Sequence, residues 1–387
     1  MFVGKSILAS FMLSTAVMVS GPNGEKIADS HISAEVLVEC ERPEAVDGQE
    51  TAGSTDNIKE SDSLKPKADE TEASRENSGD EDRADDLEGT ETTDTSEEFP
   101  ESEETETASR EEEEELAEGT VLTMLSGQGR AQMLSVVIQS ENGGLVVLDG
   151  GWEADGDRLT EVIKEKGGVV DAWLITHPHA DHTGALYYIL KNRSDEIDIN
   201  KIYYSFASAG WYEEVEPDEA SVAVNLINEF ENLPEEKLNG SIGRNDKITV
   251  DNLKITVLNN RYMLDVDPVN NSSIAYLVET CGKRILFLGD MAYDAGARLI
   301  RENGDSVRAD IVQMAHHGQN GIGQSAYEAI APKVCLWPTP QWLWDNDNGN
   351  GYNSGPWHTL ATRRWMDTLK VKEHYCTKDG DIVLQLD

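Results

Sequence analysis

Cysteine is scarce in this 387-residue chain: Cys40, Cys281, Cys335 and Cys376 lie far apart and form no CxxC pair. That argues against a disulfide-stapled scaffold and against a thiolate metal site. Cys335 and Cys376 each fall in an expected strand, where a bond between neighbouring strands or two buried thiols would serve equally. Basic residues are also few, 32 against 74 acidic ones, for a formal net charge of −42. A surface that tracks a nucleic-acid backbone needs clustered Lys and Arg, so charge disfavours nucleic acid as a partner. Long apolar runs are missing too. The N-terminal run, residues 7–19, falls short of the roughly 20 residues a membrane-spanning helix requires, so no stable span is expected. With Lys5 before it and small residues after it, residues 1–21 read as a secretory signal, which would place the protein outside the cell or on its surface.

Aromatic residues nearly vanish between residues 41 and 118, where 31 acidic side chains face 7 basic ones. Such a stretch cannot bury enough apolar surface to offset its ordering entropy. Residues 22–118 are therefore expected to form an acidic disordered segment and linker, either a self-repelling spacer or a solubilising tail. From residue 119 the balance is milder, 39 acidic against 23 basic, and the pattern becomes that of a folded domain, residues 119–387. Short β-type runs at 120–125, 133–139, 145–149 and 172–176 alternate with helical spacing at 158–166, 185–191 and 221–232. A second round follows, with strands expected at 272–279, 284–288, 311–314, 334–337, 374–376 and 382–386 and helices at 295–302, 324–330 and 360–369. Two rounds of strands followed by helices suggest an α/β protein, an αββα four-layer sandwich with two sheets face to face, although periodicity alone does not separate this from other α/β layouts.

The residues with chemistry concentrate in the run LITHPHADHTG. His177, His179, Asp181 and His182 are four metal-capable side chains within six residues, after an apolar strand and beside Pro178. On a turn they can converge on one point, whereas a helix would splay them. Imidazole suits zinc and other first-row metals, and an adjacent carboxylate admits a second cation. Two cations can share a hydroxide and polarise the bond it attacks. Three further strand ends carry polar groups: Asp149 after LVVL, Asp290 after ILFLG, and His316-His317-Gly318 after ADIVQMA.

In this order the motifs resemble the H-x-H-x-D-H signature of the metallo-β-lactamase superfamily and its later ligands, over nearly all of residues 119–387. The resemblance implies a sandwich of that fold and a metal-dependent hydrolase holding two divalent ions, zinc first and manganese second. One metal would take His177 and His179 and the other Asp181 and His182, with Asp290 bridging and His317 completing the set. Asp181 and His316 would serve catalysis, His316 by hydrogen-bonding a substrate oxygen, and Asp149 would orient a ligand histidine. No histidine lies between His182 and His316, where the β-lactam hydrolases place a ligand. That absence, with NNSS at residues 270–273, is more similar to the nuclease-like domain of the competence DNA-uptake channel protein and to the teichoic acid phosphorylcholine esterase. Both imply hydrolysis of a phosphodiester or phosphoester. A carboxylic ester, lactone or lactam remains the alternative for the same site, and a non-catalytic module that binds surface polymer is a third.

Four of the eight tryptophans fall between residues 337 and 357, in a run rich in Asn, Gly and Asp. Loops of that length are usually functional. Trp342, Trp344 and Trp357 are the candidate substrate loop, able to hold a sugar or a quaternary ammonium group by ring-face contact. The alternative is that Trp342 and Trp344 pin the loop to the core. The expected substrate is a small molecule or a cell-wall polymer.

Overall fold

The computed structural model describes residues 119–387; the expected signal (residues 1–21), the acidic segment (residues 22–118) and Cys40 lie outside the described residues. Two seven-stranded sheets form the body. In the first the order is Ile382–Leu386, Thr120–Met124, Ser135–Gln139, Leu145–Asp149, Ala172–Leu174, Ile202–Tyr203 and Leu238–Asn239. In the second it is Glu373–Cys376, Val334–Trp337, Ile311–Gln313, Lys283–Phe287, Tyr276–Thr280, Leu253–Val257 and Lys247–Val250. Each sheet joins three antiparallel pairings to three parallel ones. The division follows from the connections. Antiparallel neighbours that follow one another in the chain need only short turns, such as Cys281-Gly282, where both residues take positive φ (47° and 67°), and among the described residues Thr120–Met124 with Ile382–Leu386 is the one antiparallel pair not consecutive in the chain. Parallel neighbours need crossovers, supplied here by intervening helices including Gly156–Glu165, Ala220–Phe230 and Tyr293–Asn303.

Period-2 alternation assigns each strand two faces. Val136, Ile138, Val146 and Leu148 of the first sheet meet Ile255, Tyr276, Val278, Ile285 and Phe287 of the second between the sheets. Their neighbours Val137, Leu145, Val147 and Trp173 turn outward onto Leu159, Ile163, Leu186, Ile189 and Phe230. On the other side Leu277, Leu286, Val312 and Trp337 turn outward onto Leu299, Tyr327, Ile330 and Met366. Both sheets are thus covered on both faces, the expected αββα arrangement. Among the described residues no helix is long and apolar enough to cross a membrane.

Two expectations change and one open alternative is decided. The histidine run does not stay on a turn: the helix Ala180–Asn192 begins inside it, five residues earlier than residue 185. The tryptophan-rich segment is not all loop, since Gln341–Trp344 forms a helical turn. Cys335 and Cys376 do occupy neighbouring strands, yet their partners across the pair are His374 and Trp337, and both thiols are free and buried. Burial pushes Cys335 up to about 12 and Cys376 up to about 11, which makes them unreactive packing groups.

Phe287 is fully buried between the sheets, while Val383 on the edge strand is 63% exposed. Phe287→Ala is expected to cost about 3–5 kcal/mol and Val383→Ala less than about 0.5 kcal/mol, measured by urea denaturation of the full chain. Equal losses would contradict the assignment of the inter-sheet layer as the core.

Candidate metal centre

The expected ligands come together at the C-terminal ends of adjacent strands. Asp149 ends Leu145–Asp149, and His177 follows its parallel neighbour Ala172–Leu174. Asp290 follows Lys283–Phe287, and His316 and His317 follow its parallel neighbour Ile311–Gln313. Between His177 and His179, Pro178 keeps the chain extended, with His179 at φ −73°, ψ 156°. Alternate residues of an extended segment share a face, so His177 Nε2 and His179 Nδ1 lie 3.0 Å apart. His179 then occupies the residue before the helix Ala180–Asn192, and its first turn projects Asp181 and His182 toward the same place. An extended pair followed by adjacent helical residues therefore achieves the convergence expected of a turn.

Backbone conformation at the other strand ends is unusual. Asp149, His316 and His317 have φ of 55°, 51° and 53°, a region that costs a non-glycine residue on the order of 1–3 kcal/mol. Gly289 is required by close approach: a Cβ there would stand 2.7 Å from Thr176 Cβ, at a φ of 55°. Several buried side chains hold the Asp290 loop. Ser273 Oγ accepts the Asp290 N–H (3.1 Å), Asn271 Oδ1 accepts the Ala292 N–H (3.0 Å), and Gln313 Nε2 donates to the Gly289 carbonyl (3.1 Å). Two residues of the NNSS run thus brace the loop that presents Asp290.

Hydrogen bonds to the outer nitrogens fix where each histidine presents its lone pair. Asp149 accepts from Thr176 N–H, Thr176 Oγ1–H and His182 Nδ1–H, each at 2.8 Å. Because the Thr176 hydroxyl hydrogen is spent on Asp149, its oxygen accepts from His177 Nδ1 at 3.1 Å. His317 Nδ1 donates to the Pro338 carbonyl at 3.0 Å, and His179 Nε2 to Glu216 Oε2 at 2.8 Å. All four rings consequently aim an acceptor nitrogen inward. There His177 Nε2 and His179 Nδ1 face each other, while the other two meet carboxylates: His317 Nε2 is 3.1 Å from Asp181 and 3.2 Å from Asp290, and His182 Nε2 is 3.3 Å from Asp290. His182 Nε2, His317 Nε2 and Asp290 Oδ1 are buried without a hydrogen-bond partner among the described residues. Orphaned buried polar atoms are rare, and three aimed at one point fit a cation. Asp181, His182, Asp290 and His317 offer ligand atoms all within 4.8 Å of one another.

In the metal-free centre protons stand in for that cation. Desolvation lowers the affinity of His182 and His317 for a proton, but Asp290 and Asp181 overturn it, with Asp149 adding to the effect at His182. His182 is held well above its ordinary value and His317 is raised to about 9. Asp290 is held well below the usual carboxylate range: burial opposes this, and His317 and His182 outweigh it. His316 is different. Its Nδ1 is buried without a partner, its Nε2 lies 3.8 Å from Asp290, and desolvation holds its pKa down despite Asp290.

The candidate substrate tryptophans separate. Trp344 packs edge-on against the core Trp337 (5.2 Å between centroids) beneath the Arg363 guanidinium. Trp342 and Trp357 form a half-buried edge-to-face pair at 4.8 Å, and Trp342 Nε1 donates to the Arg130 carbonyl. Residues 338–339, at the start of this segment, contact His317 through the Pro338 carbonyl and through Thr339 Oγ1, which donates to the His317 carbonyl. Thr176, Gln313, Glu216 and Pro338 were not singled out from the sequence, and Ser273 only as part of the NNSS run. Glu216 in particular sits among Glu213, Glu214, Asp218 and Glu219, where no spacing distinguishes it.

Fold and site together define a two-sheet sandwich built to hold cations where the strand ends of its two halves meet. A sequence profile of the metallo-beta-lactamase superfamily matches residues 129–336, more than half of the chain, and the chain belongs to that superfamily. Its members are mostly metal-dependent hydrolases. No curated protein matches the sequence. Similar solved structures include the metallo-beta-lactamase fold protein YhfI from Bacillus subtilis, 14% identical, covering 69% of this chain and 99% of that one at a TM-score of 0.42. A diphosphatase of the PhnP family is 13% identical, covering 69% and 98% at 0.39. CmlA, a diiron beta-hydroxylase from Streptomyces venezuelae, is 11% identical, covering 70% and 54% at 0.45.

Metal and protons compete for the same inward nitrogens. Because His317 carries its proton below about pH 9, zinc loading at neutral pH is expected to release protons. Affinity should rise with pH and level off above about 9, checked by calorimetry in buffers of different ionisation enthalpy. The same raised value stabilises the metal-free protein below the unfolded value of 6.5, and that stabilisation disappears as pH rises through about 9. Zinc binding without proton release at pH 7 would contradict the assigned protonation.

Proposed function

We propose that this protein is a secreted, binuclear metal-dependent hydrolase that cleaves a phosphodiester or phosphoester. The observation that carries the reading is the pair of inward-facing clusters, His177 with His179 and Asp181 with His182, Asp290 and His317, joined by the 4.2 Å contact between the His177 and His182 rings. His177 and His179 would hold one divalent ion, Asp181, His182 and His317 the other, with Asp290 between them. Zinc fits this nitrogen-rich set best. When bound, the two ions would supply Lewis acidity and a water acidified enough to act as nucleophile at neutral pH.

The chain's own residues do the rest. Asp149 fixes His182 and, through Thr176, His177; Pro338 fixes His317; Glu216 fixes His179. These anchors hold the centre before substrate arrives. His316, kept neutral by burial, retains an N–H to donate to a phosphoryl oxygen as negative charge builds on it. The lack of a histidine between His182 and His316 supports the phosphoester branch over the lactam-cleaving one. Secretion rests on the character of residues 1–21, and a wall polymer or a small phosphoester fits the overall acidity better than nucleic acid does.

Asp290→Ala is expected to abolish turnover of a nitrophenyl phosphodiester. His316→Ala should lower kcat by about 100-fold or more while leaving metal content unchanged. The assay runs on full-length protein before and after chelation, beside a lactone and a chromogenic lactam. Activity confined to the two carbonyl substrates, or phosphodiester turnover unaffected by Asp290→Ala, would overturn the proposal.

A further inference from the structure

The two halves of the centre are unequally equipped. Asp181, His182, Asp290 and His317 supply four buried ligand atoms within 4.8 Å of one another. The other half has two facing nitrogens of its own, His177 Nε2 and His179 Nδ1, 3.0 Å apart. Residues 183–315 contain no histidine to supply a third imidazole. What that stretch does send to the centre is Glu216, at the end of the helix Ala209–Val215, with Glu219 just before the helix Ala220–Phe230. Glu216 Oε2 lies 2.8 Å and Glu219 Oε2 3.9 Å from His179 Nε2. That nitrogen is the one directed away from His177, so both carboxylates act through the ring rather than on a cation between the two histidines.

We propose that the centre fills in two steps of different affinity, the four-ligand half first, and that Glu216 is the positioning residue that sets the second step. The inference rests on the dimetal reading given above. An ionised acceptor on His179 Nε2–H does two things a neutral one does less well. It fixes the tautomer that leaves Nδ1 free, and it makes the ring a stronger donor at Nδ1. In a half with only two protein nitrogens of its own, that strengthening bears directly on occupancy. Glu219 is placed to take over when Glu216 is lost, so removing both matters more than removing either.

The test uses the full chain stripped by chelation, titrated with Co2+ followed by absorption and with Zn2+ followed by calorimetry; circular dichroism checks that each variant is folded. The wild type should show two separable events. Glu216→Gln, which keeps an acceptor but removes its charge, should weaken the second event about 10-fold, and Glu216→Ala combined with Glu219→Ala about 100-fold, with the first event unchanged in both. His317→Ala should instead weaken the first. Two events of equal affinity in the wild type, or a second event indifferent to Glu216 and Glu219, would sink this inference and leave the dimetal reading intact. A folded wild type that binds no metal would remove both.

Discussion

Four imidazoles, three of them fully buried, turn a nitrogen inward beside two buried carboxylates, and His182 Nε2, His317 Nε2 and Asp290 Oδ1 have no hydrogen-bond partner among the described residues. Acceptors facing acceptors repel unless a cation intervenes, and burial makes the repulsion stronger than it would be in water. The outer hydrogen bonds to Asp149, Thr176, Glu216 and Pro338 prevent the rings from escaping by changing tautomer or turning over. The metal-free protein meets this demand with protons on His182 and His317, which explains why their proton affinities are raised although they are fully buried. Metal binding there would be the exchange of one kind of cation for another in a fixed frame of acceptors.

The frame comes from the repeated topology. Each half of the chain ends a parallel pair of strands at the meeting edge, the first half contributing Asp149 and His177 and the second Asp290 and His317. Inward-facing Val, Ile, Leu and Phe side chains glue the two sheets together, so residues more than a hundred positions apart in sequence meet with little freedom. Strain is concentrated at the same edge. Asp149, His316 and His317 all hold positive φ, and Gly289 admits no side chain against Thr176. Packing of the two sheets offsets that strain, as is common where a rigid core positions reactive groups.

Much of this was legible in the sequence because it is local. Short apolar runs bounded by turn residues gave strands such as 145–149, 334–337 and 382–386 at their observed limits, and the spacing of His177, His179, Asp181 and His182 announced a metal-type cluster. The start of the helix at Ala180 was missed because Thr183-Gly184 resembles a turn, whereas packing of Ala185, Leu186 and Ile189 on the first sheet carries the helix back to the histidines. The tryptophan run was ambiguous for a similar reason. An indole looks alike in a string of letters whether it packs on the core Trp337, as Trp344 does, or pairs with another indole of the same segment, as Trp342 and Trp357 do.

The sequence by itself determined the two rounds of strands and helices and the cluster His177, His179, Asp181 and His182, since each depends on periodicity or on spacing within a few residues; the sandwich and the later ligands Asp290 and His317 followed from the resemblance to the superfamily. Only the tertiary structure decided which nitrogen of each histidine faces inward, which side chains brace Asp290, and that Glu216 stands behind His179. Those facts depend on contacts between segments distant in the chain. One glutamate in a run of five acidic residues acquires a role only when folding sets it 2.8 Å from an imidazole and leaves the others exposed.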